Sequence, residues 1–395
     1  MATESPNTSR RRFLRDAGAA ALGATVAGAL PAAAQEAALE RQLRIGIVGG
    51  GFGAAFHWHQ HPGCIVEAVS DLRADRRQHL MNIYQCAKSY ESLEVLIQDD
   101  NIDAVAVFTE APNHVRHCVA VMGTGKHCIS AVPAAVTLEE CAELVEAKRR
   151  HGVRYMMAET SYYRWPTITM RQLVADGTFG EIRYSEAEYY HPGIGAAGDG
   201  LSTWDGERTW RWGYPPMLYP THSTSFLVGV TRERLVSVSC LGTPGADPAF
   251  RDNAYGNPFD NASALFATDR GNMLRCNVMW NVWSHGERAQ WCGERTAYFM
   301  DGWAGQPQVL CIANQPDVHT QPDYWHMVPE TMRVDSGHGA SHPFLTHEFI
   351  MALLEDREPA VDVYEAVAMT APGIVAHQSA LQQGERLQVP SFDPA

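Results

Sequence analysis

The sequence predicts an α/β protein, with an N-terminal doubly wound parallel sheet and a C-terminal α+β domain built on an open, mostly antiparallel sheet. Three observations predict it. From Leu43 to Met157, short β-rich runs alternate with helical periods. A glycine turn, Gly49-Gly50-Gly51-Phe52-Gly53-Ala54, closes the first of those runs. After Met157 the alternation gives way to successive strand patterns divided by Gly/Pro/Asp-rich loops. The chain has 395 residues, a length that suits two domains.

The first run, 43–48, is Leu-Arg-Ile-Gly-Ile-Val and stops at glycine. The second strand is expected at 65–70. Residues 104–108, Ala-Val-Ala-Val-Phe, form an unbroken apolar run, as in a strand buried on both faces. Two more strands fall at 126–130 and 153–157. Helical patterns fill the gaps at 73–87, 92–98, 113–122 and 138–150, and Thr137 followed by Glu140 is a capping-box pair for the last of them. Beyond 157, strands are expected at 180–190, 234–241, 262–268, 272–280, 286–291 and 296–300, with loops at 193–205 and 242–258. Helices at 343–355 and 363–383 close the chain. Three units follow: an address segment at 1–34, a nucleotide-binding domain at 41–158, and at 159–395 an α+β domain for substrate and oligomerisation, its last helices packing back.

The address segment carries Ser9-Arg10-Arg11-Arg12-Phe13-Leu14-Arg15, then a weakly apolar Ala/Gly run over 17–30, then Ala32-Ala33-Ala34. This is the layout of a twin-arginine signal peptide with a small-residue cleavage site. The run is too short to span a membrane, and no later segment approaches ~18 uninterrupted apolar residues. A periplasmic or otherwise exported, soluble protein is expected. The twin-arginine route carries proteins that fold before export, often around a cofactor, so a tightly held ligand is expected too. The nine Cys include no C-x-x-C pair, and Cys118, Cys128 and Cys141 sit inside apolar patterns. They read as small buried hydrophobes, not as a disulfide frame or a zinc site.

Lys+Arg is 31 against 45 Asp+Glu, for a net charge of −14. Removing the basic leader leaves about −16. A surface that acidic repels phosphate backbones, which argues against a nucleic-acid partner.

The glycine turn is where the chemistry starts. Gly49, Gly51 and Ala54 satisfy G-x-G-x-x-A, with Gly50 and Gly53 adding freedom. Such a turn lets the backbone approach a pyrophosphate and offers it the N–H groups of the helix expected to follow. Asp71 lies 22 residues after Gly49, near the ~20 expected for a carboxylate on the adenosine ribose. This is the dinucleotide-binding (Rossmann) pattern. A carboxylate there favours NAD, because it repels a 2′-phosphate; Arg73 nearby keeps NADP open.

With Thr109-Glu110-Ala111-Pro112-Asn113-His114 added, these residues resemble the Gfo/Idh/MocA oxidoreductases, over about residues 41–395. The resemblance implies NAD or NADP chemistry on sugars, and a cofactor held by Gly49, Gly51, Phe52, Gly53, Ala54, Asp71, Thr109, Pro112, Asn113, His114 and the Ala131-Val132-Pro133 segment. One branch is closer: the NAD-dependent α-N-acetylgalactosaminidases of glycoside hydrolase family 109. Val132-Pro133-Ala134-Ala135, Met156-Met157-Ala158-Glu159 with Tyr162, the 186–191 strand with Tyr189 and His191, Tyr219-Pro220-Thr221-His222, and Gly337-His338-Gly339 resemble its segments. There are departures. The wider family carries Glu-Lys-Pro where Ala131-Val132-Pro133 stands. The glycosidase branch keeps a Glu at 131 and an Asn at 160, and residues 193–207 replace its Asp-Leu-Arg continuation.

Oxidising a hydroxyl needs a hydride acceptor and a base. His222 suits the second task, since an imidazole titrates near neutrality. Tyr219 can share a proton or bind a hydroxyl, and Pro220 between them restricts the backbone. The plainer alternative is a helix N-terminus capped by Thr221 or Ser223. Tyr189 and His191, two apart on a strand, share a face and could bind sugar hydroxyls. Arg211, in Trp210-Arg211-Trp212, resembles a substrate arginine; a cation–π cluster is the alternative. Thr221 and His338 complete the substrate-binding expectation, His338 being flanked by glycines. His57, His59 and His61 form a His-rich run whose positions 57 and 61 would share a helix face. No Asp, Glu or Cys completes a metal site there, and none is expected.

The resemblance implies oxidation of a pyranoside at carbon 3, which acidifies the hydrogen on carbon 2. Elimination of the glycosidic substituent, water addition and return of the hydride then give net hydrolysis without consuming NAD. Two alternatives stay open: a plain sugar dehydrogenase of the Gfo/Idh/MocA type, and a non-catalytic sugar-binding relative. A small-molecule sugar or glycoside is the expected substrate, and a homo-oligomer is expected by resemblance.

Overall fold

The computed structural model describes residues 42–302 and 306–394. The expected address segment at 1–34 lies outside the described residues. Two sheets organise the rest. The first holds six parallel strands: β1 Leu43–Val48, β2 Cys64–Ser70, β3 Ser89–Tyr90, β4 Ala104–Val107, β5 His127–Ser130 and β6 Tyr155–Met157, in the order β3-β2-β1-β4-β5-β6. This is the doubly wound order whose strand ends bind dinucleotides. All four residues of β4 are buried, as its apolar run requires.

The crossover helices are α1 Ala74–Tyr84, α2 Leu93–Leu96, α3 His114–Gly123 and α4 Leu138–His151. The capping box at Thr137 and Glu140 forms, and Gly152 ends α4 in the left-handed region at φ 64. Cys118, Cys128 and Cys141 are buried, and all nine cysteines are free of disulfides.

One crossover departs from expectation. No α-helix follows the glycine turn; two 3-10 turns, Phe52–Ala55 and Trp58–Gln60, carry the chain to β2. The reason lies in Phe56 and Trp58, both fully buried. Side chains two apart on a helix diverge by about 200°. Phe56 stacks on Phe108 while Trp58 meets Phe349 edge-on. Between them His57 turns left-handed at φ 55. His57 and His61 therefore share no helix face, and no group of three metal-ligating side chains occurs among the described residues.

The second sheet has nine strands: β7 Ile182–Tyr190, β10 Leu235–Pro244, β11 Phe259–Thr268, β12 Met273–Met279, β13 Gly286–Gly293, β14 Thr296–Phe299, β15 Gln308–Ile312, β16 Val318–Thr320 and β17 Leu387–Gln388. Only β7 and β12 pair in parallel; the other neighbours are antiparallel. A two-stranded ribbon, β8 Thr203–Trp204 with β9 Glu207–Arg208, sits apart in the Gly-rich loop. The strand patterns omitted β15, β16 and β17. They also omitted two helices, α5 Trp165–Ala175 and α6 Thr221–Thr231. α6 is buried along its whole length, so it shows no amphipathic period to read.

A single kinked turn, α7 Gly337–Ala340, leads into α8 His342–Leu354, and α9 Val363–Leu381 follows. α9 ties the two halves together. Ala134 N–H donates to Thr370 Oγ1 at 3.4 Å, and Gly373, one turn on, lies against Met217 and Pro220. No helix among the described residues is long and apolar enough to cross a membrane.

Candidate active site

α6 starts directly after Pro220, and its second residue is His222. Neither Thr221 nor Ser223 caps the helix. Thr221 is buried with Oγ1 unpaired. The helix start is therefore present without a side-chain cap; the Thr221 hydroxyl is left free, while Ser223 Oγ–H reaches the Asn277 carbonyl at 3.5 Å.

His222 is almost sealed, at 2 % exposed, and its Nδ1 lies 2.8 Å from Glu159 Oε1. Ser161 Oγ at 3.3 Å and Thr160 Oγ1 at 3.5 Å complete that side. Nδ1–H donates to the carboxylate, which leaves Nε2 as the lone-pair nitrogen. Nε2 bonds to none of the described residues. Burial pulls the His222 pKa down, but the adjacent Glu159 carboxylate outweighs it and the net direction is up.

Glu159 reaches this position because β6 ends at Met157 and the chain turns at once into a 3-10 helix, Thr160–Tyr163. Its Oε1 also accepts from Ser161 N–H at 2.8 Å, and its Oε2 is unpaired. Beyond Ser161 stands a second buried carboxylate. Glu287, on β13 opposite Tyr189, accepts from Ser161 Oγ–H. Arg164 Nε lies 2.8 Å from Glu287 Oε2, an ion pair whose angle falls outside hydrogen-bond geometry. Burial pushes Glu287 up, but Arg164, His222 and His338 pull it down to about 2.

Aromatic rings form the opposite wall. The Tyr189 ring is 4.7 Å from His222 and 5.9 Å from Tyr219, and the Tyr219 ring is 5.4 Å from His222. The Tyr219 hydroxyl bonds to none of the described residues. Burial raises both tyrosines, so they stay phenols, while Arg211 pulls them back. Arg211 packs over Trp210 at 5.0 Å, which is the cation–π alternative, and its charge reaches both tyrosines. His191 stands edge-on to Tyr189 at 6.1 Å, on the same face as expected, with Nδ1 buried and unpaired.

His338 closes the site. Its backbone is left-handed at φ 56, followed by Gly339 at φ 64 and Ala340 at φ 62, a strained run of the kind found at functional sites. Gly339 takes this conformation without strain, and a Cβ on it would press on Arg164 Nη1 at 3.2 Å. The His338 ring stacks on His222 at 5.9 Å. His338 Nδ1 meets His342 Nε2 at 3.1 Å, and His342 Nδ1 meets the Ala55 carbonyl at 3.0 Å. A carbonyl only accepts, so His342 donates from Nδ1, accepts at Nε2, and leaves His338 with a free Nε2 lone pair. Burial holds His338 at about 4 and His342 at about 3, so both are neutral near pH 7. Phe52, at the tip of the glycine turn, touches both rings edge-on. The glycine turn and His222 are thus two ring contacts apart.

The turn fits a dinucleotide. Gly49 has φ 105, and a Cβ would lie 2.1 Å from the Phe108 carbonyl oxygen. A Cβ on Gly53 would meet the Phe108 ring at 2.9 Å. At Gly51 a Cβ would meet only Arg76 Nη1, at 4.0 Å, which leaves open space where a pyrophosphate would approach. Asp71 holds the turn by accepting from Gly50 N–H at 2.7 Å, with carboxylate lone pairs to spare. Arg73 is engaged with Asp75 and stacks over Trp204, so Arg76 is the cation that faces the turn.

Thr109, Pro112, Asn113, Ala131, Val132 and Pro133 gather at the C-terminal edge of β4 and β5, where such sheets bind ligands. His114 differs from expectation. It is sealed at 1 % exposed, with Nδ1 2.7 Å from Pro133 O and Nε2 3.0 Å from Thr109 O. It fastens the two edge loops together and cannot touch a ligand. The Thr109 hydroxyl is taken by His117 at 2.8 Å.

Residues 43–159 match the model of an oxidoreductase family with an NAD-binding Rossmann fold. That first unit is a Gfo/Idh/MocA nucleotide-binding domain. Residues 319–394 match the C-terminal domain of glycosyl hydrolase family 109. A glycosyl hydrolase family 109 protein of Solibacter usitatus is 26% identical, with 98% of this chain and 97% of that one covered. Another, of Streptomyces coelicolor, is 22% identical over 99% and 95%. Among solved structures, levoglucosan dehydrogenase in complex with NADH and levoglucosan superposes with a TM-score of 0.74 at 16% identity, covering 89% of this chain and 100% of that one. The WlbA dehydrogenase of Bordetella pertussis, in complex with NADH and UDP-GlcNAcA, gives 0.70 at 19%, over 89% and 99%. These structures establish the fold around the Gfo/Idh/MocA domain.

Sequence reading missed Glu159, Ser161, Arg164, Glu287 and His342. Glu159 ends the matching Met-Met-Ala-Glu stretch but takes no role from it, since nothing local shows that it meets His222. Glu287 sat in a strand of ordinary alternation, and only the pairing with Tyr189 brings it to the site.

Proposed function

We propose that the protein is an exported, NAD-dependent enzyme that oxidises carbon 3 of a pyranoside with a cofactor held through the cycle, and in doing so hydrolyses the glycosidic bond with no net redox change. The buried Glu159–His222 pair beside the unpaired Tyr219 hydroxyl carries this reading. His222 Nε2 takes the proton of the reacting hydroxyl. Glu159 keeps Nδ1–H pointed away and stabilises the imidazolium that forms. Tyr219, His338 Nε2 and His191 orient the remaining hydroxyls, and Arg211 bears on an electronegative substituent. Gly49 to Ala54 and Asp71 would hold the dinucleotide, whose nicotinamide supplies the hydride acceptor. Export supports a retained cofactor, because free NAD is scarce outside the cytoplasm. The relatives named glycosyl hydrolase family 109 along nearly their whole length favour hydrolysis.

A second reading, net oxidation without cleavage, draws on Ala131. It is buried at 7 % exposed and supplies no acid or cation beside the β5 edge. An aryl glycoside separates the two. Deuterium uptake at carbon 2 with aglycone release and no net NADH fits hydrolysis; a keto-sugar without cleavage fits oxidation. Mass spectrometry of nucleotide released on denaturing the protein tests retention.

A further inference from the structure

Beyond the end of β7 the chain runs His191-Pro192-Gly193-Ile194, and a cavity of about 370 Å³ opens beside it. Its lining includes Pro192, Ile194, Asp247, Asp260, Trp280 and Trp283. Trp280 is buried and forms the partition. It lines the cavity, and its ring also packs on Tyr189 at 5.8 Å and Tyr219 at 6.3 Å. One indole therefore separates this cavity from the His222 corner. Trp283 stands fully exposed at the rim.

Asp260 makes the cavity more than a surface dent. It is 3 % exposed. Its Oδ2 accepts from Asn281 Nδ2–H at 2.9 Å, but its Oδ1 has no partner. A buried carboxylate oxygen without a donor is costly, and a small turn of the Asp260 side chain toward a ligand hydroxyl in the cavity relieves it. Asp247 is different. Its Oδ1 already accepts from Ala197 N–H and Ala249 N–H, both at 2.9 Å, so it shapes the wall. The lining is thus mixed, apolar and aromatic at Ile194, Phe250, Trp280 and Trp283 and polar at Asp247, Asp260 and Asn281, the pattern that a pyranose matches with a C–H face and a hydroxyl rim. The volume sits at the low end of the ~300–1,000 Å³ of ligand pockets, enough for a single ring.

We infer that this cavity is a second sugar subsite, holding the neighbouring unit of a glycan whose reacting pyranoside lies at the His222 corner. The inference rests on the pyranoside reading above and extends its substrate from a simple glycoside to an oligosaccharide or glycoconjugate. The carboxylates disfavour uronic, sialic or phosphorylated units. Gly193, Ile194 and Ala196 belong to the stretch in which this chain departs from the glycosidase pattern, so the subsite sets this chain's own preference.

The test uses the full chain with NAD and two substrates sharing one reacting unit, an aryl monosaccharide and a disaccharide. Tryptophan fluorescence and saturation-transfer NMR follow binding of neutral disaccharides apart from turnover. Trp283→Ala, at a position without packing partners, should lower kcat/KM for the disaccharide relative to the monosaccharide roughly three- to tenfold, the scale of one lost aromatic face. Asp260→Asn should weaken disaccharide binding and relax the exclusion of uronic units. Equal effects of Trp283→Ala on both substrates overturn the subsite, as does quenching by tetramethylammonium in place of sugars, or burial of Trp283 by a second copy of the chain. Disaccharide binding that Trp283→Ala weakens, without any turnover, sinks the functional reading and leaves the subsite standing. Monosaccharide turnover with no disaccharide binding does the reverse.

Discussion

His222 Nδ1 and Glu159 Oε1 are 2.8 Å apart, in a spot where neither side chain meets bulk water. That contact decides which imidazole nitrogen is the base. Glu159→Gln offers the ring an amide that can present the wrong group, so kcat should fall at least ~100-fold. His222→Ala should cost at least as much. Steady-state rates on a pyranoside, with NAD titration as the control for the nucleotide site, check both.

The same contact sets the pH response. His222 is raised from 6.5, so its neutral, proton-accepting form gains only above the raised value. kcat/KM should climb with pH through a midpoint above 6.5, and Glu159→Gln should move that midpoint down. For stability the signs are opposite in the two groups. The raised His222 contributes most below 6.5, and its share fades as pH rises through the folded value. The depressed Glu287 contributes fully above its ordinary 4.5 and loses its share as pH falls toward about 2. Thermal melts across pH read the second effect as a steep acid limb, which Glu287→Gln should flatten.

Two glycines in one turn should behave differently. At Gly49 the backbone is left-handed and a Cβ would collide with the Phe108 carbonyl, so Gly49→Ala should lower the melting temperature with or without NAD. At Gly51 a Cβ meets open space, so Gly51→Ala should melt much closer to the parent than Gly49→Ala when no nucleotide is added. It should instead lose the extra stability that saturating NAD gives, about 2.7 kcal/mol at a hundred times Kd.

Gly373 joins α9 to the corner. A Cβ there would lie 2.3 Å from both the Met217 carbonyl oxygen and Pro220 Cγ. Gly373→Ala should push Tyr219 and His222 off position, at ~1–3 kcal/mol of stability. Turnover should drop while NAD affinity holds, a split that kinetics and nucleotide titration resolve.

The first sheet was legible because a parallel strand buried on both faces writes itself as an apolar run, as in Ala104–Val107, and because Thr137 and Glu140 mark a helix start locally. The 3-10 turns after Ala54 were not legible. Whether Phe56 and Trp58 bury together depends on Phe108, Phe349 and His342, which lie far off in sequence. α6 escaped for a related reason: buried on every side, Thr221–Thr231 has no polar face to set a period. Of the site, His222, Tyr219, Tyr189 and His338 followed from residue type and resemblance. Glu159 and Glu287 did not, since a carboxylate declares its role only through the group it meets across the fold.

The central claim is that a nicotinamide ring lies between the glycine turn and the Tyr219–His222 corner. A crystal structure with NAD and a pyranoside measures this directly. The account predicts the dinucleotide along Gly49–Ala54 and Asp71, with the reacting hydroxyl within hydrogen-bond reach of His222 Nε2, about 2.6–3.2 Å, and its carbon against the ring. A nicotinamide turned away from His222, or a substrate hydroxyl held by other groups, would contradict it.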